Sequence, residues 1–178
     1  MESTQAEKLK DDGNQAFKKG EHRVAIQCYT EALALSPNEI YFSNRAAAHM
    51  AMRAYREALA DSQKAVELNS KYLKAYKRMA KAQIALNALD EAQSTIQAAA
   101  AIDAKDRTLD EEKALLKTIK QHKLYATAAI ANGDYQQAVH YAREILKAVP
   151  GGDFFEVMLL QSLVGYRKFK EAEESSQQ

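Results

Sequence analysis

The chain has 178 residues, with 25 basic and 24 acidic side chains and a formal net charge of +1. This balance argues against a nucleic-acid or membrane-surface binder, because both need a strong basic excess. Glycine and proline are rare, at six and two residues, which favours helix over sheet and predicts an all-α protein. No signal peptide or membrane span is visible, and the single cysteine, Cys28, excludes an internal disulfide, so a cytosolic protein is expected.

Helical patterns follow one another along the whole chain. They predict helices over residues 3–19, 22–35, 38–51, 55–68, 71–85, 89–102, 107–132, 135–148 and 153–165, and a short last segment that begins near 169. Ser36 and Glu39 have the spacing of a capping box at the start of the third helix. Gly133 followed by Asp134 indicates a helix stop and a new cap.

Small residues recur with a period near 34. One set of alanines is spaced by 33, 34, 46 and 34 residues: Ala25, Ala58, Ala92, Ala138 and Ala172. A second small residue stands twelve positions before the first four of these alanines: Gly13, Ala46, Ala80 and Ala126. Pro37 and Pro150 follow their own alanines by twelve positions. This spacing predicts closely packed helical hairpins, with proline ending the second helix of a pair.

The repeat resembles the tetratricopeptide repeat, and the resemblance covers nearly the whole chain. The first repeat matches best, at Leu9, Gly13, Gly20, Ala25, Tyr29, Ala32 and Pro37. The resemblance implies a right-handed solenoid of antiparallel helix pairs, about four and a half repeats long. Two departures are the absence of tryptophan and Asp12 in place of the usual leucine.

The repeat spacing predicts two continuous parts. Residues 1–105 form a three-repeat module, and residues 106–178 hold the fourth repeat and a truncated fifth. The 46-residue interval contains extra residues rich in Glu, Lys and Leu, which predict an extended first helix in repeat four. Only six residues follow Ala172, about half of a helix. The short fifth repeat favours a fragment of a longer protein, with a naturally frayed end as the alternative.

Five polar side chains occur on the predicted first helices of the first three repeats. Lys10 and Asn14 are an i, i+4 pair, as are Lys74 and Arg78, so each pair shares a helical face. Asn44 stands in the middle of the helix between them, where asparagine is unfavourable unless it contacts something. Since the first helices of such an array line one groove, these five residues are expected to converge.

All five positions resemble the two-carboxylate clamp of co-chaperone tetratricopeptide domains. The resemblance implies an adaptor for the C-terminal Glu-Glu-Val-Asp tails of the cytosolic seventy- and ninety-kilodalton heat-shock chaperones. Lys10, Asn14 and Asn44 would hold the terminal carboxylate. Lys74 and Arg78 would bind the aspartate side chain and nearby peptide groups. The sequence is similar to the heat-shock organising protein and to J-domain co-chaperones. Its fourth and fifth repeats favour the J-domain type, with a J domain or other domain farther along a longer chain.

Other interpretations stay open. Ala47 and Met50 border the same groove as candidate apolar contacts, and helix-packing core is an equal alternative for both. The lysines and arginine of the third repeat could alone be a solvated stripe. The chain could also be the regulatory arm of a phosphatase or prolyl isomerase, or a general peptide-binding scaffold. No phosphate loop, catalytic set or metal-ligand spacing is present in the sequence, so neither an enzyme nor a cofactor or metal site is expected.

Overall fold

The computed structural model describes residues 2–103, 105 and 107–176, and all the regular structure within them is α-helical. The helices are α1 Glu2–Lys18, α2 His22–Leu35, α3 Glu39–Ala51, α4 Tyr55–Leu68, α5 Leu73–Ala85, α6 Leu89–Ile102, α7 Asp110–Ala131, α8 Tyr135–Ala148 and α9 Asp153–Ser176. The expected all-α fold is confirmed. Each of the first eight helices begins and ends within three residues of its predicted bounds. None of the described helices is long and apolar enough to cross a membrane.

The repeat period is visible in the backbone of the turns. Gly20, Arg53, Asn87 and Gly133 each follow the first helix of a repeat, with φ of 81°, 62°, 60° and 75°. They are separated by 33, 34 and 46 residues, the spacing of the repeated alanines. A left-handed residue ends many helices because it lets the next amide bond back to the last turn. The same turn therefore forms whether or not glycine occupies it.

The repeated small residues lie where helices pack. Each of the following has no exposed surface: Ala25, Ala46, Ala58, Ala80, Ala92, Ala126 and Ala138. Gly13 is also buried, whereas the side chain of Ala172 lies outside the described part. Small residues at these positions let helix backbones approach closely. Each helix pair has at least one contact between its two helices: Gly13 with Tyr29, Arg45 with Asp61, Gln83 with Thr95, and Tyr125 with Tyr141.

The chain divides into two compact units. One holds Met1–Gln83 and Asp90–Lys113, and the other holds Ile84–Leu89 and Ala114–Gln178. The five predicted clamp residues all belong to the first unit. The boundary at residues 105 and 106, which the repeat spacing suggests, stays a prediction.

The start of α3 differs from the expected capping box. Asn38 is the N-cap residue, and its side-chain oxygen accepts a hydrogen bond of 2.8 Å from the Ile40 amide. Ser36 instead caps the end of α2, so the predicted role of Ser36 is wrong. Asn38 lies two residues closer to the helix than Ser36, and it provides the same kind of acceptor at the position where the backbone turns. The cap expected at Asp134 is confirmed, since its side chain accepts from the Gln137 amide.

Helix α7 confirms the predicted extended helix of repeat four. It has 22 residues, compared with 13 in α3 and in α5. Its first turn is acidic, with Asp110, Glu111 and Glu112. Negative charge at a helix N-terminus is favourable because the unpaired amides there carry partial positive charge.

Helix α9 departs from the prediction. A break between residues 165 and 169 was expected, but α9 is one helix of 24 residues. Arg167 and Glu171 form an ion pair of 2.8 Å across the expected break, one helical turn apart. Gly165 contacts the Tyr135 ring of α8 and does not form a turn. Continuing a helix adds a backbone hydrogen bond per residue, whereas starting a short new helix requires a costly nucleus.

Candidate functional site

Two of the predicted site residues meet directly between α1 and α3. Asn44 Nδ2 donates a hydrogen bond of 3.1 Å to Asn14 Oδ1. The Tyr29 hydroxyl of α2 donates a second hydrogen bond, of 2.8 Å, to the same oxygen. Asn14 and Asn44 are both half-buried. The two asparagines therefore form one hydrogen-bonded group, which explains why asparagine is tolerated in the middle of α3.

The position of Tyr29 depends on Gly13. A Cβ atom at Gly13 would lie 2.7 Å from Cε1 and 2.9 Å from Cδ1 of the Tyr29 ring. The ring is buried, with 2% of its surface exposed, and burial raises the pKa of Tyr29 to about 12. The phenol thus keeps its proton at neutral pH and remains a donor. The sequence showed Tyr29 only as a matching position of the first repeat and gave no signal that its hydroxyl contacts Asn14.

Arg78 of α5 lies beside this group. Its Nη1 donates to the hydroxyl of Ser43, which is fully buried on α3 next to Asn44. Burial lowers the pKa of Arg78, and the hydroxyls of Tyr72 and Tyr29 partly oppose that shift. No carboxylate of the described residues forms an ion pair with Arg78. A half-buried cation without a counter-charge is costly, and its remaining donors suit an external anion.

Lys10 already has a partner in the chain. Its Nζ lies 2.8 Å from Oδ1 of Asp11, and the hydrogen bond that Lys10 donates to Asp11 raises the pKa of Lys10. The Asp11 side chain is 62% exposed. Exposed ion pairs contribute about 0–1 kcal/mol, so a ligand carboxylate can replace Asp11 at low cost. The repeat offsets give no indication of this pair, in which Asp11 is a local competitor for Lys10.

Lys74 is exposed and forms no hydrogen bond or ion pair with the residues that the structure describes. It lies one helical turn before Arg78, and Lys10 lies one turn before Asn14. Asn14 and Asn44 are hydrogen-bonded to each other, and Arg78 is hydrogen-bonded to Ser43, the residue before Asn44. The two lysines share helices with these residues, and among the described residues they form no hydrogen bond with them.

The two candidate apolar contacts differ in their surroundings. Met50 is half-buried and packs against a buried cluster of Ala46, Ala58 and Ala82, as expected for helix-packing core. Ala47 is also half-buried. Whether either residue contacts a ligand stays a prediction.

The chemistry of this group of residues is that of hydrogen-bond donors and positive charge. Lysine and arginine donate only, and the asparagine amides add neutral donors. Within the described ranges, no group of three or more His, Cys, Asp or Glu side chains is placed to hold a metal ion. The arrangement suits the binding of a carboxylate.

Comparisons with known proteins agree with the repeat pattern. The family model "Tetratricopeptide repeat" matches residues 49–116. The DnaJ homolog subfamily C member 7 homolog of Dictyostelium discoideum is 29% identical over 171 residues, covering 93% of this chain and 32% of that protein. The human mitochondrial import receptor subunit TOM70 is 47% identical over 83 residues, 43% of this chain and 14% of the receptor. The chain thus spans about a third or less of the length of these curated relatives.

A solved structure extends the likeness to three dimensions. The second TPR domain of human RPAP3, solved in complex with the HSP70 peptide SGPTIEEVD, superposes with a TM-score of 0.63. The sequence identity is 31%, and the match covers 66% of this chain and 98% of that domain.

Proposed function

We propose that this chain, which belongs to the tetratricopeptide-repeat family, is a co-chaperone module for acidic C-terminal tails. Its ligands would be the Glu-Glu-Val-Asp ends of the cytosolic seventy- and ninety-kilodalton heat-shock chaperones. The module would act by binding, with no catalytic step and no cofactor.

The observation that supports this proposal most is the environment of Arg78. Its guanidinium is half-buried between α3 and α5 and touches hydroxyl groups, with no carboxylate partner among the described residues. Structural arginines buried between helices usually have such a partner, as Arg45 does in Asp61. Arg78 is therefore better explained as half of an ion pair that a ligand completes.

Each clamp residue would bind the part of the ligand that suits its chemistry. A C-terminal aspartate carries two carboxylates on one residue, which an internal aspartate lacks. Lys10 supplies a charge and Asn14 and Asn44 supply neutral donors for the main-chain carboxylate. Lys74 and Arg78 face the aspartate side chain and neighbouring peptide groups. An arginine fork can hold two acceptors at once, whereas lysine is a point charge that adapts to the ligand.

The expected affinity is moderate. Each charge-assisted hydrogen bond contributes about 1.5–3 kcal/mol. Three or four of them, less the cost of ordering a flexible tail, correspond to a Kd of about 1 μM. Such binding is specific but readily reversed, which suits a partner that must be released.

The comparisons support the same ligand class. RPAP3 has a TPR domain solved with an HSP70 peptide that ends in EEVD, and that domain is almost fully covered by the match. The DnaJ relative aligns over 93% of this chain. We therefore propose for this chain the ligand class of the RPAP3 domain. We also propose for it the co-chaperone role that the name of the DnaJ relative suggests.

The test is the binding of a fluorescent peptide ending in Glu-Glu-Val-Asp, measured by anisotropy with helical content checked by circular dichroism. Arg78→Ala and Lys74→Ala should each weaken binding at least tenfold, which corresponds to about 1.4 kcal/mol. Lys81→Ala is the matched control, because Lys81 lies on the same basic stripe of α5 as Lys74 and Arg78. It should change the Kd less than about twofold, since it lies outside the five-residue set.

Two further conditions test the ligand chemistry. Binding should weaken as salt rises, because exposed charges are screened, and it should weaken when the C-terminus of the peptide is amidated. An equal loss for all three variants would indicate a nonspecific basic stripe. Equal affinity for the free and amidated peptides would refute the clamp.

A further inference from the structure

We infer that Tyr29 is a positioning residue for the ligand site. Its hydroxyl fixes the Asn14 amide so that Nδ2 faces the ligand, and the site consequently selects a free carboxylate over an amidated chain end. This inference rests on the proposed function, and it assigns a specificity role to a residue that does not itself touch the ligand.

The geometry at Asn14 supplies the first step. An amide oxygen has two lone pairs. Tyr29 and Asn44 donate to Oδ1 of Asn14 at 2.8 Å and 3.1 Å, so both acceptor positions are filled. No other described residue hydrogen-bonds to Nδ2 of Asn14. What Asn14 still offers is therefore a donor, and the complementary ligand group is an acceptor such as a carboxylate oxygen.

A hydroxyl can donate or accept, so two directions of the hydrogen bond between Tyr29 and Asn14 are chemically possible. In a reversed network, Nδ2 of Asn14 would donate to Tyr29 and to Oδ1 of Asn44. Such a network would present Asn14 Oδ1, and a carboxylate would be repelled.

Arg78 favours one of these two hydrogen-bond networks. Its positive charge acts on the Tyr29 hydroxyl, where it partly opposes the effect of burial on the pKa of Tyr29. A nearby cation favours an oxygen whose lone pairs face it, so the hydroxyl proton of Tyr29 points away from Arg78. The acceptor that the structure gives this proton is Asn14 Oδ1. Arg78 thus favours the orientation of Asn14 in which Oδ1 faces Tyr29.

The Tyr29 ring is held firmly enough for this role. It is 98% buried and packs with Ala16, Ala25 and Ala48, and its edge touches the backbone position of Gly13. A hydroxyl on a fixed ring can orient a flexible amide. A hydroxyl that rotates freely, such as that of an unpacked serine, would turn together with the amide. Tyr29→Phe keeps the ring and removes only the oxygen.

The experiment compares Tyr29→Phe with a matched hydroxyl deletion, Tyr76→Phe, in the full chain. Tyr76 is also buried, and its hydroxyl bonds to the Ser70 carbonyl at 3.1 Å, away from Asn14. We expect Tyr29→Phe to weaken binding of the free-acid Glu-Glu-Val-Asp peptide about fivefold. The ratio of the Kd for the amidated peptide to the Kd for the free-acid peptide should fall by a similar factor. Tyr76→Phe should leave that ratio unchanged. An unchanged ratio in Tyr29→Phe would overturn the inference.

Two additional measurements separate this inference from the proposed function. In an Asn14→Ala background, adding Tyr29→Phe should have no further effect on the Kd, whereas a purely structural role would still weaken binding. In the ligand-free protein, Tyr29→Phe should shift the side-chain amide NMR signals of Asn14, and Tyr76→Phe should not. Unmoved Asn14 signals would refute the role of Tyr29 whatever the peptide does. If the wild-type chain binds neither peptide, the proposed function fails and the NMR result alone decides the role of Tyr29.

Discussion

The guanidinium of Arg78 is hydrogen-bonded to the buried hydroxyl of Ser43, one residue before Asn44, so that α5 and α3 are joined beside the two asparagines. A second chain of contacts runs from Gly13 through the Tyr29 ring to Asn14. Three of the five candidate clamp residues are thus held in place by small or aromatic residues behind them. Such prior ordering matters because a site ordered before binding does not have to be ordered by the ligand.

The first prediction concerns Ser43. Ser43→Ala should weaken binding of the free-acid peptide about fivefold and lower the free energy of unfolding by about 1–2 kcal/mol, because Arg78 loses an acceptor in a half-buried place. Calorimetric titration and urea unfolding measure the two effects. Ser62 is the matched control, since it is equally buried but donates to the Ala58 carbonyl within its own helix. Ser62→Ala should alter stability alone, and a similar loss of affinity in both variants would contradict the prediction.

Local spacing made much of this fold predictable. The helix bounds depend on residues a few turns apart, and the buried alanines follow a period of 33 to 46 residues, both of which the sequence displays directly. The hydrogen bonds of Ser43 and Tyr29 depend on which helices become neighbours. A serine or tyrosine on a helix does not show by itself which partner its hydroxyl will find.

Competition between neighbours explains the other differences. Asp11 pairs with Lys10 because it is adjacent in the chain, and the repeat offset carries no information on such a partner. In α9, the expected turn has no glycine or asparagine between Tyr166 and Phe169. The ion pair of Arg167 with Glu171 supports the helical alternative.

The second prediction concerns the packing of α1 on α2. Gly13→Ala should lower the free energy of unfolding by about 1–3 kcal/mol, because the new methyl group would lie 2.7 Å from a carbon of the buried Tyr29 ring. The gain in helix propensity, about 1 kcal/mol, acts in the opposite direction. Asp12→Ala, at the exposed neighbouring position, should have little effect. A Gly13→Ala variant stabilised by the full propensity gain would show that Tyr29 can move aside freely.

The third prediction concerns the turn after α3. Arg53 has a φ of 62°, a conformation that is unfavourable for residues with a Cβ atom. Arg53→Gly should therefore raise the free energy of unfolding by about 0.5–1 kcal/mol, as measured by thermal and urea unfolding. Arg56→Gly is the matched control, because Arg56 is exposed within α4 and should lose about 1 kcal/mol on the same change. If both variants are destabilised, the Arg53 side chain adds more to the free energy of unfolding than its left-handed backbone conformation removes.

The fourth prediction follows from the pKa of Tyr29, which burial raises from 10.0 to about 12. Below pH 10 the phenol is protonated in both the folded and the unfolded chain, so Tyr29 stabilises the fold fully. Between pH 10 and 12 the unfolded chain loses this proton while the folded chain keeps it, and ionisation then favours unfolding. At pH 8, Tyr29→Phe should be less stable than the wild type by about 1 kcal/mol, because one hydrogen bond is lost. Since one pKa unit corresponds to about 1.4 kcal/mol, that gap should close between about pH 10 and 11 and reverse at higher pH.

Urea unfolding of the wild type and of Tyr29→Phe at pH 8, 10 and 11 measures this gap. Other groups also titrate in this range, including Tyr55, whose pKa burial raises as well. Their effects are common to both proteins and cancel in the difference. A gap that stays constant from pH 8 to pH 11 would mean that Tyr29 ionises as readily in the folded chain as in the unfolded one. The phenol would then reach solvent, and its hydroxyl could not be held against Asn14 in the way that the buried ring requires.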